Sequence, residues 1–237
     1  MVTEDIQEIK EKLARALRIL VNEGIIENAG HPSQRLADGR ICIVGHIHER
    51  AGVLGQATPQ DFVIVDADGN LLEGDHEPPG EVALHTEVYR ARPEIVSVVH
   101  THPTAVIALS IAGQTVLPVW LYATVFAPSV PVFPSGCQIN TPDLGRWMVE
   151  VMGDRAAVVL KGHGAVTAGT SIEHACTLSL NLEKTARLQL AAAPLLPPGA
   201  QPHSLSTADL AGYTNMGADS EESRLRFWAY YGGRLPK

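Results

Sequence analysis

The sequence predicts an α/β layered fold with a ligand site where its strands end. Three observations carry this expectation. Helix-like and strand-like hydrophobic periods alternate along the chain. Two apolar runs, 95–99 and 156–160, read as strands buried on both faces. Each of these runs leads into histidine, at His100-Thr101-His102 and at Gly162-His163-Gly164. Open sheets of this class usually bind ligands at strand ends.

Ile6, Ile9, Leu13, Leu17 and Leu20 recur at helical spacing, with Thr3 as the expected cap and Gly24 as the stop. Gly30, Pro32, Asp38 and Gly39 mark a loop. The β-branched runs 41–44 and 62–65 read as strands, and Asp66 to Asn70 as a turn. Residues 81–92 suit a helix that starts after Pro79-Gly80 and is broken by Pro93. After the strand 95–99, a helix passes through 107–111 and stops near Gly113. Runs 116–119 and 130–133 are weaker strand candidates. Residues 144–152 form the next expected helix and 165–168 a further strand. Residues 171–192 read as a long helix capped by Ser171. The proline-rich stretch 193–202 is a loop, and 221–231 an amphipathic segment carrying Trp228, Tyr230 and Tyr231. Residues 1–237 are expected to form a single domain, with 193–237 as a proline-rich loop and C-terminal tail.

Hydrophobic residues make up 45% of the 237 and charged residues 19%, so a packed core is expected rather than disorder. The net charge of −8 carries no nucleic-acid footprint. An anionic substrate would therefore need a local cluster of His, Arg or backbone N–H groups. The longest apolar stretch, 116–127, is too short to span a bilayer. The acidic start lacks the pattern of a signal peptide. The three cysteines, Cys42, Cys137 and Cys176, form no CxxC pair. They read as reduced, mostly buried thiols in a cytoplasmic protein. No GxSxG, P-loop or GxGxxG motif occurs. Lys161 reads as exposed or ion-paired.

At a strand end, residues i and i+2 point to one side, so His100 and His102 can face one ion. His163 lies at another strand end between glycines that let the backbone turn sharply. Three imidazoles and an open position match a catalytic zinc site. The same ligands also suit manganese, iron, cobalt or copper. Taken alone, HxH reads equally well as two half-buried histidines bonded to backbone, and Gly-His-Gly as a tight turn.

The wider context resembles the class II aldolase and adducin head family. Pro79-Gly-Glu81-Val-Ala-Leu-His85, Tyr89-Arg-Ala-Arg-Pro93 and Val98-Val-His100-Thr-His102 match that family in order and spacing. Gly162-His163-Gly164 resembles its third-ligand segment, and Ala29-Gly30-His31-Pro-Ser33 its N-terminal substrate loop. The resemblance covers roughly residues 8–192. It implies a three-layer αβα domain around a mainly antiparallel or mixed sheet. It also implies one divalent metal per subunit on His100, His102 and His163, Zn or Mn first and Fe or Co next, with Glu81 as the catalytic proton carrier. Family members are usually homotetramers with sites between subunits, so the aromatic tail could reach a neighbouring site or simply pack on its own subunit.

Departures from the sugar-phosphate aldolases narrow the expectation. Their hydroxyl pair before the catalytic Glu is replaced by Pro79-Gly80, and their loop Asn by His31. Their Thr-Gly phosphate turn is replaced by Gly45-His46-Ile-His48-Glu-Arg50. The pattern is closer to the family's decarboxylases of hydroxylated aromatic or pyridine dicarboxylates. The expected activity is thus metal-dependent decarboxylation of a small carboxylate. His31, Ser33, His46, His48, Arg50 and Tyr122 are the candidate substrate-binding residues. An aldolase acting on a hydroxy-carbonyl or sugar phosphate would use the same metal and glutamate. A non-catalytic adducin-like module would need neither. No nucleic-acid or membrane partner is expected.

Overall fold

A computed structural model describes residues 5–46 and 54–236. Helix α1 (Ile6–Asn22) is capped by Asp5, whose carboxylate accepts the Gln7 N–H. The cap is therefore Asp5 rather than Thr3, which lies outside the described residues. The α1 stripe Ile9, Leu13, Leu17 and Leu20 is buried as its period requires.

Strands β1 (His31–Arg35), β2 (Ile41–Val44), β3 (Phe62–Val65) and β4 (Leu71–Glu73) follow. They are succeeded by α2 (Val82–Ala91), β5 (Ser97–Thr101), α3 (Thr104–Ile111) and a 3-10 turn at Leu121–Phe126. Next come β6 (Val132–Phe133), α4 (Pro142–Met152), β7 (Ala157–Leu160), β8 (Gly164–Gly169) and α5 (Ile172–Ala192). The tail holds α6 (Thr207–Asn215) and α7 (Glu221–Gly232). Ser171 caps α5, its hydroxyl accepting the His174 N–H.

The sheet has eight strands in the order β4-β3-β2-β1-β5-β8-β7-β6. Every neighbouring pair is antiparallel except the parallel edge pair β6 and β7. Helices cover both faces, so the expected αβα layering of a mixed sheet holds. Strand alternation sorts the core. Cys42, Val44, Phe62, Ile64 and Val99 pack against α1 and α5 on one face. Ile41, Ile43, Val63, Val65, Val98, Val158, Leu160 and Val166 pack against α2 and α4 on the other.

Three expectations need correction. Residues 31–35 are a central strand, not part of a loop. Pro32 suggested otherwise, but β1 pairs on both sides, with β2 and β5, and its first four residues are buried. Long-range pairing overrides the local signal. Residues 116–119 form no strand. Pro118 has no N–H to give a ladder, and the Leu117 N–H goes to the Gln189 side chain at 3.0 Å. The candidate strand 130–133 shortens to the two residues of β6. The thiols are mostly buried as expected, Cys42 and Cys176 inside and Cys137 exposed. Besides β1 and the 3-10 turn, one strand and one α-helix were not anticipated. Strand β4 is an exposed three-residue edge, and α6 buries no residue despite its Ser206–Asp209 capping box.

Leu84 is fully buried where α2 meets the sheet. Leu84→Ala should cost about 2–5 kcal/mol in chemical denaturation. A loss below about 1 kcal/mol would show that this helix face is not packed as described.

Candidate metal centre and active site

The register between β5 and β8 assembles the centre. His100 pairs with Val166 and Thr101 with Ala165, so the start of β8 runs beside the end of β5. His163 lies in the turn joining β7 to β8. Gly162 there has φ +66°, a left-handed conformation that favours glycine. Gly164 has no room for a side chain: a Cβ would stand 2.3 Å from the Thr101 carbonyl oxygen and 2.9 Å from His102 Cδ2. The missing side chain thus lets the two strand ends close on each other.

Three imidazoles converge as a result. Ring centroids lie 4.8 Å apart for His100 and His102, 5.1 Å for His100 and His163, and 5.3 Å for His102 and His163. His100 is fully buried, and its Nδ1–H donates to the Ala165 carbonyl at 3.1 Å. That bond fixes the tautomer and leaves the Nε2 lone pair facing inward. His102 Nε2 stands 3.1 Å from His100 Nε2. Two nitrogens bound tetrahedrally to one zinc would be about 3.3–3.4 Å apart, given bonds of about 2.0–2.1 Å. The donor set and spacing therefore fit a divalent metal.

Helix α3, which begins just after His102 and Pro103, has no cap of its own. Glu183 of α5 supplies one, its carboxylate accepting the Ala105 and Val106 N–H groups at 3.1–3.2 Å. An acidic group at a helix N-terminus is favourable, and here it anchors the backbone that carries His102.

Glu81 stands at the N-cap of α2 but does not cap it. Its Oε1 accepts the Ile139 N–H at 2.7 Å. Its Oε2 lies 3.6 Å from both His100 Nε2 and His163 Nε2. Burial pushes the Glu81 carboxyl up, but the facing His163 side chain, His100 and the Ile139 N–H outweigh it and hold it at about 2. His100 is itself pushed well down, first by burial and then by His31, so at neutral pH its ring is uncharged. The Glu81 anion then rests on the His163 ring and the Ile139 N–H. His102 is also lowered, chiefly by burial and next by His163. Neutral His100 and His102 rings beside an ionised Glu81 are the protonation states that metal ligation needs.

A cavity of about 290 Å³ opens beside Glu81, lined also by Ala29, Gly30, His31, His46 and Gln138. Of the sequence-derived substrate residues, His31 and His46 thus face this space. Ser33 is fully buried one side chain away from it, with its Oγ 2.7 Å from His85 Nδ1 and 2.7 Å from Tyr89 Oη. Tyr122 packs edge-on against Trp120 and Phe227 and lines a separate cavity with Lys184 and Tyr230. His48 and Arg50 lie outside the described residues. The tail aromatics Trp228 and Tyr231 pack on the core of α1 and α5, while Tyr230 is exposed. Sequence reasoning missed His85, Gln138 and the Ile139 N–H. His85 was findable, one helical turn beyond Glu81 on the same face.

Among the described residues, one other group could hold a metal: His31, Glu81 and His100. No helix among them is long and apolar enough to cross a membrane.

The class II aldolase and adducin N-terminal domain family matches residues 11–190. A 3,4-dihydroxyphthalate decarboxylase of Terrabacter sp. is 34% identical over 226 residues, 90% of this chain and 92% of that protein. A 3-oxo-tetronate 4-phosphate decarboxylase of Escherichia coli is 30% identical over 188 residues, 77% of this chain and 86% of that protein. The crystal structure of an aldolase II superfamily protein from Pseudomonas syringae superposes with a TM-score of 0.83 at 22% identity, covering 99% of this chain and 94% of that one.

The thiols are set apart from this chemistry. Burial pushes Cys42 up to about 12 and raises Cys176 as well. Both should resist alkylation at pH 8 in the folded protein. Labelling of either at the rate of the denatured chain, read by mass spectrometry, would contradict their buried placement.

Proposed function

Because the chain belongs to the class II aldolase and adducin N-terminal domain family, we propose that it is a metal-dependent carbon–carbon lyase that decarboxylates a hydroxylated aromatic or heteroaromatic carboxylate. The observation that carries this reading is the convergence of His100, His102 and His163 on one point, with Glu81 Oε2 3.6 Å from two of them. The two decarboxylase relatives support the reaction class. Class II aldolases use a divalent metal. Here Zn or Mn fits the three imidazoles.

When bound by these three residues, the cation would supply Lewis acidity to a substrate hydroxyl and carboxylate held together. This chain's own residues do the rest. Glu81, ionised and anchored through Oε1, accepts the ring hydroxyl proton at Oε2. It then delivers that proton to the ring carbon bearing the carboxylate, and the ring takes its keto form. The carbon–carboxylate bond breaks and carbon dioxide leaves. The bonding pair returns to the ring, which regains aromaticity as the phenolate and takes a proton on release. His31 and His46 offer N–H groups to a second carboxylate, and Pro79-Gly80 brings no hydroxyl for a phosphate.

The working unit is proposed as a cytoplasmic homotetramer. Exposed Leu195, Met216, Leu225 and Tyr230 on the C-terminal tail supply apolar surface for such contacts.

Carbon dioxide release should be seen with hydroxylated phthalates or pyridine dicarboxylates and not with sugar phosphates. Aldehyde release from a ketose phosphate would instead make the protein an aldolase, and purified protein without metal or turnover would make it a binding module. His100→Ala, His102→Ala and His163→Ala should each lose bound metal, read by elemental analysis. Full metal content in all three would contradict the ligand set. Glu81→Gln should keep the metal and lose at least about 100-fold in kcat. Wild-type turnover in that variant would remove Glu81 from the mechanism.

A further inference from the structure

One face of α2 runs along the sheet in matched steps. Its residues 81, 85 and 89 lie four apart. Opposite them are His31 and Ser33 of β1 and Val98 and His100 of β5, each pair two apart and cross-registered His31 to His100 and Ser33 to Val98. Four helical residues advance about 6 Å and two strand residues about 6.6 Å. The stripe and the strands therefore stay in step over three contacts. Glu81 meets His100, His85 meets His31 and Ser33, and Tyr89 meets Ser33 and Val98.

These contacts form one buried chain of hydrogen bonds. His31 Nδ1 lies 2.7 Å from His85 Nε2, His85 Nδ1 2.7 Å from Ser33 Oγ, and Ser33 Oγ 2.7 Å from Tyr89 Oη. The Val98 N–H donates to Tyr89 Oη at 3.1 Å. Arg35 holds Tyr89 in place, with its guanidinium 5.3 Å from the ring and its Nη1 donating to the Tyr89 carbonyl at 2.8 Å.

The direction of the chain follows from its outer end. An amide N–H can only donate, so Tyr89 Oη accepts there and gives its single proton to Ser33. Ser33 then has its own proton to donate. His85 Nδ1 stands at 2.7 Å and the Val98 carbonyl at 3.5 Å, so the proton goes to His85. A neutral His85 that accepts at Nδ1 carries its proton on Nε2 and donates it to His31 Nδ1. A neutral His31 that accepts at Nδ1 carries its own proton on Nε2, its one remaining ring nitrogen.

The geometry points to a positioning relay: Tyr89, Ser33 and His85 fix His31 as the Nε2–H tautomer, so that it donates a hydrogen bond to a substrate carboxylate oxygen beside the metal position and does not ligate the metal. His31 lines the cavity next to Glu81, where such an oxygen would sit. A preorganised neutral donor stabilises charge on that oxygen without reorienting during the reaction. The relay also separates the two potential metal groups. His31 has no lone pair to offer, so His31, Glu81 and His100 do not make a metal site, although their atoms lie within 4.8 Å of one another. Ser33, His85 and Tyr89 act through His31 and touch no substrate. The nature of the acceptor rests on the lyase reading; the tautomer does not.

The test is a long-range 1H–15N correlation spectrum of the full chain, labelled at histidine and loaded with Zn(II), with no substrate present. His31 and His85 should both be protonated at Nε2 and bare at Nδ1. Ser33→Ala should abolish that single-tautomer signature at both residues while zinc content stays at its wild-type level, and Ser33→Thr should restore it. With a turned-over substrate, Ser33→Ala should lower kcat/KM about 10- to 100-fold. A bare Nε2 on wild-type His31, or loss of the zinc equivalent in His31→Ala, overturns the relay. The wild-type spectrum decides even if Ser33→Ala fails to fold. Absence of any decarboxylation together with the expected tautomers would sink the decarboxylase reading and leave the relay standing. A reversed tautomer in an active decarboxylase would do the opposite.

Discussion

The close approach of β8 to the end of β5 is the constraint on which the centre depends. Gly164 makes it possible, because any side chain there would collide with the Thr101 carbonyl and His102. Once the strands are that close, the antiparallel register does the rest. It sets His100 beside Val166, brings the Ala165 carbonyl to His100 Nδ1, and delivers His163 from the preceding turn. One hydrogen bond from sheet backbone therefore decides which imidazole nitrogen is left bare. Only His100 lies within a strand; His102 follows the end of β5 and His163 sits in the turn before β8, so strand register brings together backbone that the neighbouring turns then aim.

Around that centre the structure places a second layer on α2. The helix contributes Glu81 to the centre and His85 and Tyr89 to the layer behind it. Residues four apart on a helix can serve residues two apart on a strand only while the two remain parallel. Leu84 and Val88, on the sheet-facing side of the same helix, keep it seated on Ile43, Val63 and Val98. Packing and chemistry thus share one element. At the other end, Glu183 fixes the start of α3 and so the backbone just past His102.

Much of this was legible in the sequence. The helix periods of α1, α2 and α5, the buried strands β5 and β7, and the histidines at their ends follow from spacing alone. What was not legible required partners distant in sequence. Residues 31–35 look like a loop until β2 and β5 pair with them. Residues 116–119 look like a strand until the Leu117 N–H is drawn off by Gln189. In sequence Ser33 reads as a substrate residue because it stands in the segment that resembles the family's substrate loop. A strand sends alternate residues to one face, and the same face that takes His31 to the cavity takes Ser33 beneath α2. The Tyr89-Arg-Ala-Arg-Pro93 motif likewise has a structural use. Tyr89 joins β1 to β5, and Arg92 donates to the Arg155 carbonyl at 2.7 Å.

The position a divalent metal takes in this protein decides whether His100, His102 and His163 act together. Anomalous diffraction at the zinc edge, from crystals of zinc-loaded protein, locates it directly. The expected result is a single strong peak about 2.0–2.1 Å from the Nε2 atoms of His100, His102 and His163. A peak ligated by His31, or no peak among these rings, would contradict it.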